Sequence, residues 1–513
     1  MTRSELVLII DLGTSSCKAS LFKWDGQLAG HGSASYPERN PRPTWAEQLP
    51  EDWWVAAGQS TREALRCSES IPGQIAAIGV TGQMHGVLAV NGKGAPLTPC
   101  LTLRDRRAIA ELQEITTLLS LDEVYRITGA RLAASLPPAK IRWMRKHWPE
   151  IDRKAQAYLA PKDYLRLCFT GTIATEVIDA AGMLFFDLRS RTWSLPIVEA
   201  TGISPDKLPP IRAPWDLAGY LTGDAARHLG LLPGTPVYMG AGDDIEFLGY
   251  GIVGPGSALE HIGSTGSIMA CVDRPVTDPA MTIELYPHID PSLWLAGGSV
   301  SAAGSAMDWV CRVLLGHDQP GVETLLEIAT TPGPPSWPPL VFLPYLAGER
   351  CPIWNPSARG GWLGLTLSHE RHDLLRSALE GVVFALRHVL ETIEGLAIPI
   401  PWLAVQRSGQ DDRWLAMRAN VYGRPLRVVG TTDATARGTL IVTGLGAGLY
   451  NNLEAGLAAT QGTEEVIDSD PLLAKQYEKS YALYRQISAV CQSLFAHFSS
   501  PRHESEVWDE SGD

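Results

Sequence analysis

The sequence lacks the features that direct a chain into a membrane or onto nucleic acid. No apolar run reaches the roughly 18 residues needed to span a bilayer. The segment Met1–Glu5 leads into a strand without the apolar stretch of a signal peptide. Basic residues are outnumbered, 43 Lys and Arg against 56 Asp and Glu, which gives a net charge of -13. Because an acidic surface repels nucleic acid and anionic lipid, we expect neither as a partner.

Cysteine is present without a pattern. The eight cysteines form no C-x-x-C pair and no Cys/His spacing of a metal site, and they are scattered at 17, 67, 100, 168, 271, 311, 351 and 491. In a chain of this length such scatter predicts reduced thiols and a cytoplasmic protein.

The length bounds the organisation of the chain. A chain of 513 residues exceeds one hydrophobic core, so two large domains are expected. The run Val253–Gly256 is the favoured boundary, which gives domains over 1–253 and 254–499. Residues 500–513 are polar and acidic and are expected to form a frayed tail.

Two segments about 250 residues apart share one pattern, an apolar strand that runs into a Gly-Ser/Thr turn. Glycine permits close backbone approach, so N–H groups and hydroxyls in such turns can converge on a phosphate. Asp11, at the first turn, could hold Mg²⁺ beside that phosphate. The repetition predicts two duplicated α/β nucleotide-binding domains with the ligand in an interdomain cleft. The phosphate-binding candidates are Gly13, Thr14 and Ser15 in the first turn and Gly263, Ser264 and Thr265 in the second.

Periodicity and breakers place the other elements. Asp25-Gly26 predicts a hairpin turn, and Pro50 starts a helix that runs to about Cys67. Strands are expected at 75–80 and 237–239, and the Pro-rich stretch 331–339 predicts a rigid loop. Further helices are expected near 105–119, 137–148, 161–169, 302–316, 371–396, 411–422, 433–445 and 471–497.

Asp243 is the main catalytic candidate. It follows a short strand and the sequence Gly240-Ala241-Gly242, the position at which α/β folds bind ligands. The alternative is that Asp243 or Asp244 caps the next helix. A cap explains one carboxylate and not an adjacent pair, so we favour catalysis for Asp243 and substrate contact for Asp244.

Two further segments offer groups for a polyol. Gln83-Met84-His85 leaves the end of a strand with an amide and an imidazole, although such a histidine is as often a hydrogen-bonded, half-buried residue. Asp105 and Arg107 could also bind hydroxyls, but taken alone they fit the solvated start of a helix better.

Several segments together resemble the FGGY family of carbohydrate kinases, on the actin/hexokinase/Hsp70 ATPase fold, over nearly the whole chain. Gln83-Met84-His85-Gly86 is most similar to the xylulokinases, whereas glycerol kinases have an Arg-Glu pair at that place. The segments similar to family motifs are Asp11–Ser15, Trp45–Gln48 with Pro50–Trp54, Pro161–Leu165, Asp179–Gly182, Gly304–Asp308, Phe342–Arg350 and Gly360–Leu365 through Glu380.

The resemblance implies two RNase H-like domains, ATP and Mg²⁺ as cofactors, and a sugar as the other substrate. It implies that Met84 and His85, with Gln83, Asp105 and Arg107, contact the sugar and that Asp243 is the general base. It also implies that Asp11 serves the metal–phosphate arrangement, and that Gly304, Asp308, Gly409 and Gln410 bind the nucleotide. The expected reaction is phosphorylation of a ketopentose, D-xylulose first, by a monomer or homodimer.

Alternatives remain beside this reading. Another ketose or polyol, such as ribulose, xylitol or a glycerol-like compound, could be the substrate. A non-catalytic sugar sensor or a chaperone-like ATPase could share the fold, but Asp11 with Asp243 argues against the first and Gln83–Gly86 against the second.

The chain departs from the family pattern at three places. Leu103 replaces the Trp of a W-x-D-x-R segment, and Gly438-Thr439-Leu440 replaces a Gly-Ala-Ala helix. The adenine-site glycines are reduced to Arg407-Ser408-Gly409-Gln410. Arg407 could stack on either purine, which predicts that GTP also supports turnover.

Overall fold

The computed structural model describes residues 6–316, 339–407, 412–431 and 433–498. The chain forms two compact units. The first combines Met1–Pro255, Cys271–Leu295 and Val429–Glu464, and the second combines Gly256–Ala270, Ala296–Val428 and Glu465–Asp513. The domain limits 1–253, 254–499 and 500–513 stay a prediction from the sequence. The predicted loop at 331–339 lies, except for Pro339, outside the described residues.

The main sheet of the first unit is built around the strand Leu6–Leu12. This strand is buried along its whole length. It pairs antiparallel with Ser16–Lys23 on one side and parallel with Ile75–Gly82 on the other. The sheet order is Leu217–Tyr220, Pro236–Tyr238, Ile75–Gly82, Leu6–Leu12, Ser16–Lys23 and Leu28–Ser35, with Ala241–Gly242 also paired to Ile75–Gly82.

Both faces of this sheet are covered, which explains the continuous apolar run of its central strand. Leu8 and Ile10 belong to one core cluster together with Trp53 of the helix Pro50–Cys67. The neighbours Val7 and Ile9 belong to another cluster with Leu440 of the helix Ala434–Gly446. Successive strand residues point to opposite faces, so one strand supports both helices.

The remaining strands of the first unit are short: Glu47–Gln48, Leu88–Val90, Cys100–Leu101, Ala157–Leu159, Thr175–Glu176, Phe186–Asp187, Thr192–Trp193, Ile211–Arg212 and Glu284–Pro287. Its helices are Pro50–Cys67, Ile109–Leu118, Leu121–Thr128, Pro137–His147, Pro149–Lys154, Pro161–Thr170, Val177–Gly182, Leu195–Thr201, Gly223–Leu229, Glu246–Gly249, Ala434–Gly446 and Leu453–Ala459. Single 3₁₀ turns cover Pro72–Gln74, Pro205–Lys207 and Asp243–Ile245.

The second unit repeats the strand arrangement of the first. Ala258–Ile262 pairs antiparallel with Gly266–Val272 and parallel with Leu403–Gln406. The sheet order is Trp294–Val300, Gly266–Val272, Ala258–Ile262, Leu403–Gln406, Leu426–Val429 and Glu464–Ile467. Val341–Leu343 and Gly361–Leu363 form a separate pair. The described helices are Gly304–Leu315, Arg371–Glu394, Asp412–Tyr422 and Pro471–Phe495, followed by the 3₁₀ turn Ala496–Phe498.

The predicted secondary structure is largely confirmed. The hairpin turn at Asp25-Gly26 is present, with Gly26 at a φ of 81°. The long predicted helices are found within a few residues of the expected limits, except that the helix expected from 105 begins at Ile109. The preceding residues form a turn instead, because the Asp105 carboxylate accepts the N–H of Arg107. Among the helices of the described residues, none is long and apolar enough to cross a membrane.

Candidate active site

Three parallel strands of the first unit end side by side. Asp11 is in register with Thr81, and Thr81 is in register with Ala241 on its other side. Carboxyl ends of parallel strands open onto the same edge of a sheet, where α/β folds bind ligands. The structure thus gathers Asp11, the Gln83–His85 turn and Asp243 at one edge.

Asp11 is a buried carboxylate in an acidic neighbourhood. Its Oδ2 lies 3.5 Å from Nζ of Lys18, the residue opposite it on the next strand. Burial raises the pKa of Asp11 to about 6, Lys18 opposes the rise, and Asp433 adds to it. Asp433 caps the helix Ala434–Gly446 by accepting the N–H of Ala436. Negative charge therefore accumulates at the strand ends.

Asp243 starts a helical turn directly after the strand Ala241–Gly242. The 3₁₀ turn Asp243–Ile245 follows Gly242, and no side chain caps it there. The half-buried carboxyl has a pKa raised well above its usual value, first by burial and then by Asp244, Asp11, Asp179 and Glu246. A raised pKa makes a carboxylate a stronger base once it is deprotonated, which suits a candidate general base.

The first Gly-Ser/Thr turn presents its hydroxyls to solvent. Thr14 and Ser15 are exposed between two buried strands. The loop is fixed from below, because Nε2 of Gln48 donates to the Thr14 carbonyl at 2.7 Å and the Tyr36 hydroxyl donates to the Gly13 carbonyl. A fixed loop with exposed hydroxyls and glycine suits an anion.

The turn Gln83–His85 is held from several sides. Gln83 Nε2 donates to Oε1 of Gln48 at 2.7 Å. His85 adopts a left-handed φ of 63°, and its Nδ1 lies 2.9 Å from the Gly182 carbonyl oxygen. A Cβ added to Gly242 would lie 2.7 Å from Met84 Sδ, so the Met84 side chain packs directly against the strand that carries Asp243.

Asp105 and Arg107 are buried, so the solvated helix start favoured by the sequence is wrong for them. Asp105 accepts from Nη2 of Arg107 at 2.7 Å and from the N–H of Ala46 at 2.8 Å. The Arg107 guanidinium also binds Glu47 at 2.6 Å and stacks 3.5 Å from the ring centre of Trp45. Asp105 and Arg107 thus make hydrogen bonds and ion pairs inside the first unit. A contact of either residue with a sugar stays a prediction. Leu103 is exposed nearby.

The second Gly-Ser/Thr turn lies in the second unit and joins a helix start. Ser264 and Thr265 are exposed, and the Ser264 carbonyl accepts the N–H groups of Ala303 and Ser305. Gly304 opens the helix Gly304–Leu315, and a Cβ there would lie 2.5 Å from the Gly263 carbonyl oxygen. Asp308 is exposed one turn further along that helix.

The nucleotide candidates Gly409 and Gln410 lie outside the described residues. Arg407, which precedes them, is described. Its guanidinium binds Asp412 at 2.9 Å and also contacts Glu465. The guanidinium is thus ion-paired, and stacking on a base stays a prediction.

Two buried residues that fix the turn Gln83–His85 were not predicted as functional from the sequence. Gln48 Oε1 accepts from both Nε2 of Gln83 and Nε1 of Trp53. Because its Nε2 also donates to Thr14, Gln48 joins the Thr14 loop and the Gln83–His85 turn to the helix Pro50–Cys67. Lys140 Nζ donates to the carbonyls of His85 at 3.2 Å and Thr102 at 2.6 Å. Gln48 belongs to the motif Trp45–Gln48, so the motif could have indicated it. Lys140 lies on the helix Pro137–His147, and no motif in the sequence marks it.

The donor set fits Mg²⁺ held partly by phosphate oxygens. Within the described residues, no three His, Cys, Asp or Glu side chains are grouped to hold a metal. Mg²⁺ is commonly held by one or two carboxylates together with substrate phosphates and water. Asp11, at a strand end, and Asp433, at a helix start, meet that description, because the negative charge of Asp433 raises the pKa of Asp11 and a cation would relieve this repulsion.

These features define a kinase of the actin/hexokinase ATPase type, with two α/β units that each carry a Gly-Ser/Thr turn. The comparisons with known proteins name the group more closely. The N-terminal domain model of the FGGY carbohydrate kinases matches residues 6–247, and the C-terminal domain model matches residues 261–447. The chain therefore belongs to the FGGY family of carbohydrate kinases, and the predicted fold class and enzyme class are confirmed.

Relatives with two different substrates are similar to this chain. A xylulose kinase of Escherichia coli is 30% identical over 81% of this chain and 85% of its own length. A gluconokinase of Bacillus subtilis is 29% identical over 96% of this chain and 97% of its own. The structure of a ligand-bound xylulose kinase from Lactobacillus acidophilus superposes with a TM-score of 0.88 at 25% identity, over 96% of this chain and all of that one. The family fixes a sugar kinase but not its sugar.

Proposed function

We propose that the protein transfers the γ-phosphoryl group of ATP to a ketopentose, with D-xylulose as the first candidate. The observation that carries this proposal is the turn Gln83–His85 beside Asp243 at one sheet edge. The xylulose kinases among the relatives support it, as does the absence of the Arg-Glu pair of glycerol kinases from this turn.

The charge at this edge favours a neutral sugar over a sugar acid. Asp11, Asp244 and Glu246 all raise the pKa of Asp243. The neighbouring amine of Lys140 is buried and donates to main-chain carbonyls, and burial lowers its pKa to about 7. A carboxylate on the substrate would add like charge without gaining that cation.

The proposed mechanism assigns one role to each group. Asp243 accepts the proton of the sugar's primary hydroxyl as the hydroxyl oxygen attacks the γ-phosphorus, and the bond from that phosphorus to the bridging oxygen of the leaving ADP breaks. Thr14 and Ser15, and in the second unit Ser264 and Thr265, donate hydrogen bonds to phosphate oxygens. Asp11 would hold Mg²⁺, and the ion would supply positive charge for the transferred phosphoryl group. Met84 and His85 orient the acceptor, and orientation is a large part of phosphoryl-transfer catalysis.

Gluconate is the second candidate, because a gluconokinase is nearly as similar to this chain as the xylulose kinases are. The deciding experiment measures ADP release with D-xylulose, D-ribulose, xylitol, glycerol and D-gluconate at several concentrations. We expect kcat/KM for D-xylulose to exceed that for gluconate at least tenfold. A preference for gluconate would overturn the ketopentose proposal and the charge argument with it.

We predict that His85→Asn raises KM for the sugar and leaves KM for ATP nearly unchanged. Asparagine tolerates the left-handed φ of 63°, so the variant tests the ring and not the backbone. A lost hydrogen bond costs about 0.5–1.5 kcal/mol, which corresponds to roughly a 2- to 13-fold rise. Initial rates against each substrate check this, and equal changes in both KM values would point to a structural histidine.

We predict that GTP supports turnover at a measurable fraction of the ATP rate, and that Arg407→Ala changes this fraction. An arginine plane stacks on adenine and guanine alike. The ion pairs of Arg407 with Asp412 and Glu465 hold the side chain in a defined position. Rates with both nucleotides at saturating sugar are the measurement. Strict ATP dependence that Arg407→Ala leaves unaltered would remove the stacking role.

We also infer that the protein works in the cytoplasm as a monomer or homodimer. All eight cysteines are free in the structure, and reduced thiols would suit that compartment.

A further inference from the structure

Beneath the strand end that carries Asp243 lies a buried cluster of charged side chains. Five residues have side chains with at most 1% exposure: Lys162, Asp163, Arg166, Glu176 and Asp179. Lys162 Nζ lies 2.8 Å from Asp163, 3.1 Å from Asp179 and 3.5 Å from Glu176. Taking so many charges out of water is costly, and such a cluster is weak evidence for stability as such. A structural or functional reason for it is therefore worth seeking.

Glu176 connects this cluster to the main chain at the active site. Its Oε1 accepts the N–H of Gly242, the residue before Asp243, at 3.0 Å. Its two oxygens also cap the helix Val177–Gly182, because they accept from Asp179 and Ile178. One carboxylate thus holds both the helix start and the strand end.

The helix Val177–Gly182 in turn packs against the turn Gln83–His85. The Gly182 carbonyl at its end contacts the His85 ring, and a Cβ on Gly182 would lie 2.6 Å from Cε of Met84. Glu176 therefore fixes Gly242 on one side and the support of Met84 and His85 on the other. A shift of this carboxylate would therefore move Asp243 relative to Met84 and His85, the residues proposed to contact the sugar.

We propose that Glu176 is a positioning residue for phosphoryl transfer, which acts through the Gly242 N–H on Asp243, with Lys162 as its counter-charge. The inference rests on the proposed role of Asp243. No residue of the cluster is needed to touch the substrate. The cluster is internal. Its desolvation lowers the stability of the fold, and its benefit is the alignment of the reacting groups.

The electrostatics of the cluster agree with this role. Burial opposes the charge on Lys162, but the carboxylates around it outweigh burial and raise its pKa. Burial also raises the pKa of Asp179, aided by Asp163 and Glu176 and opposed by Lys162. Lys162 and Arg166 outweigh the burial of Asp163 and lower its pKa.

Two variants separate the charge of Glu176 from its reach. Glu176→Asp keeps the charge beside Lys162 but shortens the side chain, so it loses the Gly242 contact. Glu176→Gln keeps the length and loses the charge. We expect Glu176→Asp to lower kcat roughly 10²-fold, the size expected for a small misplacement of reacting groups, with the sugar KM within about threefold of wild type. Glu176→Gln should lose less kcat than Glu176→Asp, because its amide oxygen can still accept the Gly242 N–H.

A matched control removes only a helix cap. Asp470 caps the helix Pro471–Phe495 by accepting from Leu472 and Leu473, in the second unit and far along the chain. Asp470→Ala should keep kcat within about twofold of wild type. A folded Glu176→Asp protein with wild-type kcat, or with a loss matched by Asp470→Ala, would reduce Glu176 to a cap.

A second measurement does not depend on turnover. Hydrogen–deuterium exchange of a peptide that contains Gly242 should show a protected amide in the wild type and faster exchange in Glu176→Asp. Rapid exchange in the wild type would overturn the proposal even if neither variant folds. Rates are taken with the sugar that gives the highest kcat/KM. A preference for gluconate then refutes the ketopentose proposal alone, whereas unchanged kcat and exchange refute the positioning role alone.

Discussion

Asp243→Asn is expected to lower kcat by about 10²–10⁴ while the protein stays folded, because the variant removes the group that accepts the sugar's proton. Asparagine has the same shape, and the turn Asp243–Ile245 has no side-chain cap that the change could break. The measurement is the initial rate of ADP formation at saturating sugar and ATP, with circular dichroism to confirm folding. Activity within a few-fold of wild type would show that Asp243 is not the base.

Asp244→Asn is the informative comparison, because it makes the same charge change one residue later. After burial, Asp244 is the largest cause that raises the pKa of Asp243. Its removal should lower that pKa, so the rise of kcat/KM with pH should begin at lower pH in this variant. A base must be deprotonated to act, which gives the sign. An unshifted acid limb would mean that another group sets it.

The architecture could be predicted because its signals are local. The buried run before Asp11 and the repeated Gly-Ser/Thr turn follow from period and composition, and the structure places each turn between paired strands. Long helices such as Arg371–Glu394 carry many periodic residues and were predicted within a few positions. Short helices such as Val177–Gly182 hold fewer than two turns and gave no periodic signal.

The gathering of Asp11, Gln83 and Asp243 could also be predicted, since each follows a predicted strand and parallel strands share an edge. What the sequence could not show was which side chains hold them. The segment Pro161–Leu165 was predicted as a helix and as a motif but not as part of a buried charge cluster, and the contact of Glu176 with Gly242 spans 66 residues. Long-range contacts of single polar atoms leave no pattern in a sequence.

The placement of residues 429–464 with the first unit was equally invisible. Gly438 was read as a departure from a nucleotide-binding helix. In the structure a Cβ on Gly438 would lie 2.4 Å from the Ile245 carbonyl oxygen, so this glycine lets its helix approach the turn after Asp243. A small residue that serves close packing cannot be told from one that serves a ligand without the fold.

Gly240→Ala is expected to destabilise the protein by several kcal/mol, to the point that little folded protein is recovered. Two penalties act together. Gly240 has a left-handed φ of 65°, which costs an alanine about 1–2 kcal/mol. Its Cβ would also lie 1.7 Å from the Val80 carbonyl oxygen, a main-chain atom of a central strand that cannot move aside. Losses above about 4 kcal/mol are exceptional for one substitution and arise from such clashes.

Gly234→Ala separates the two penalties, because Gly234 has a φ of 84° and open space within 4 Å of the added Cβ. Gly234 precedes the strand Pro236–Tyr238. Its replacement by alanine should therefore cost only the penalty of the left-handed φ, about 1–2 kcal/mol. Denaturant unfolding of both variants is the measurement. If Gly240→Ala lost no more than Gly234→Ala, the strand that leads to Asp243 would not be packed as tightly against Val80 as the structure shows. A loosely packed strand would not hold Asp243 in a fixed position. The proposal that Glu176 positions Asp243 through Gly242 would then lose its structural support.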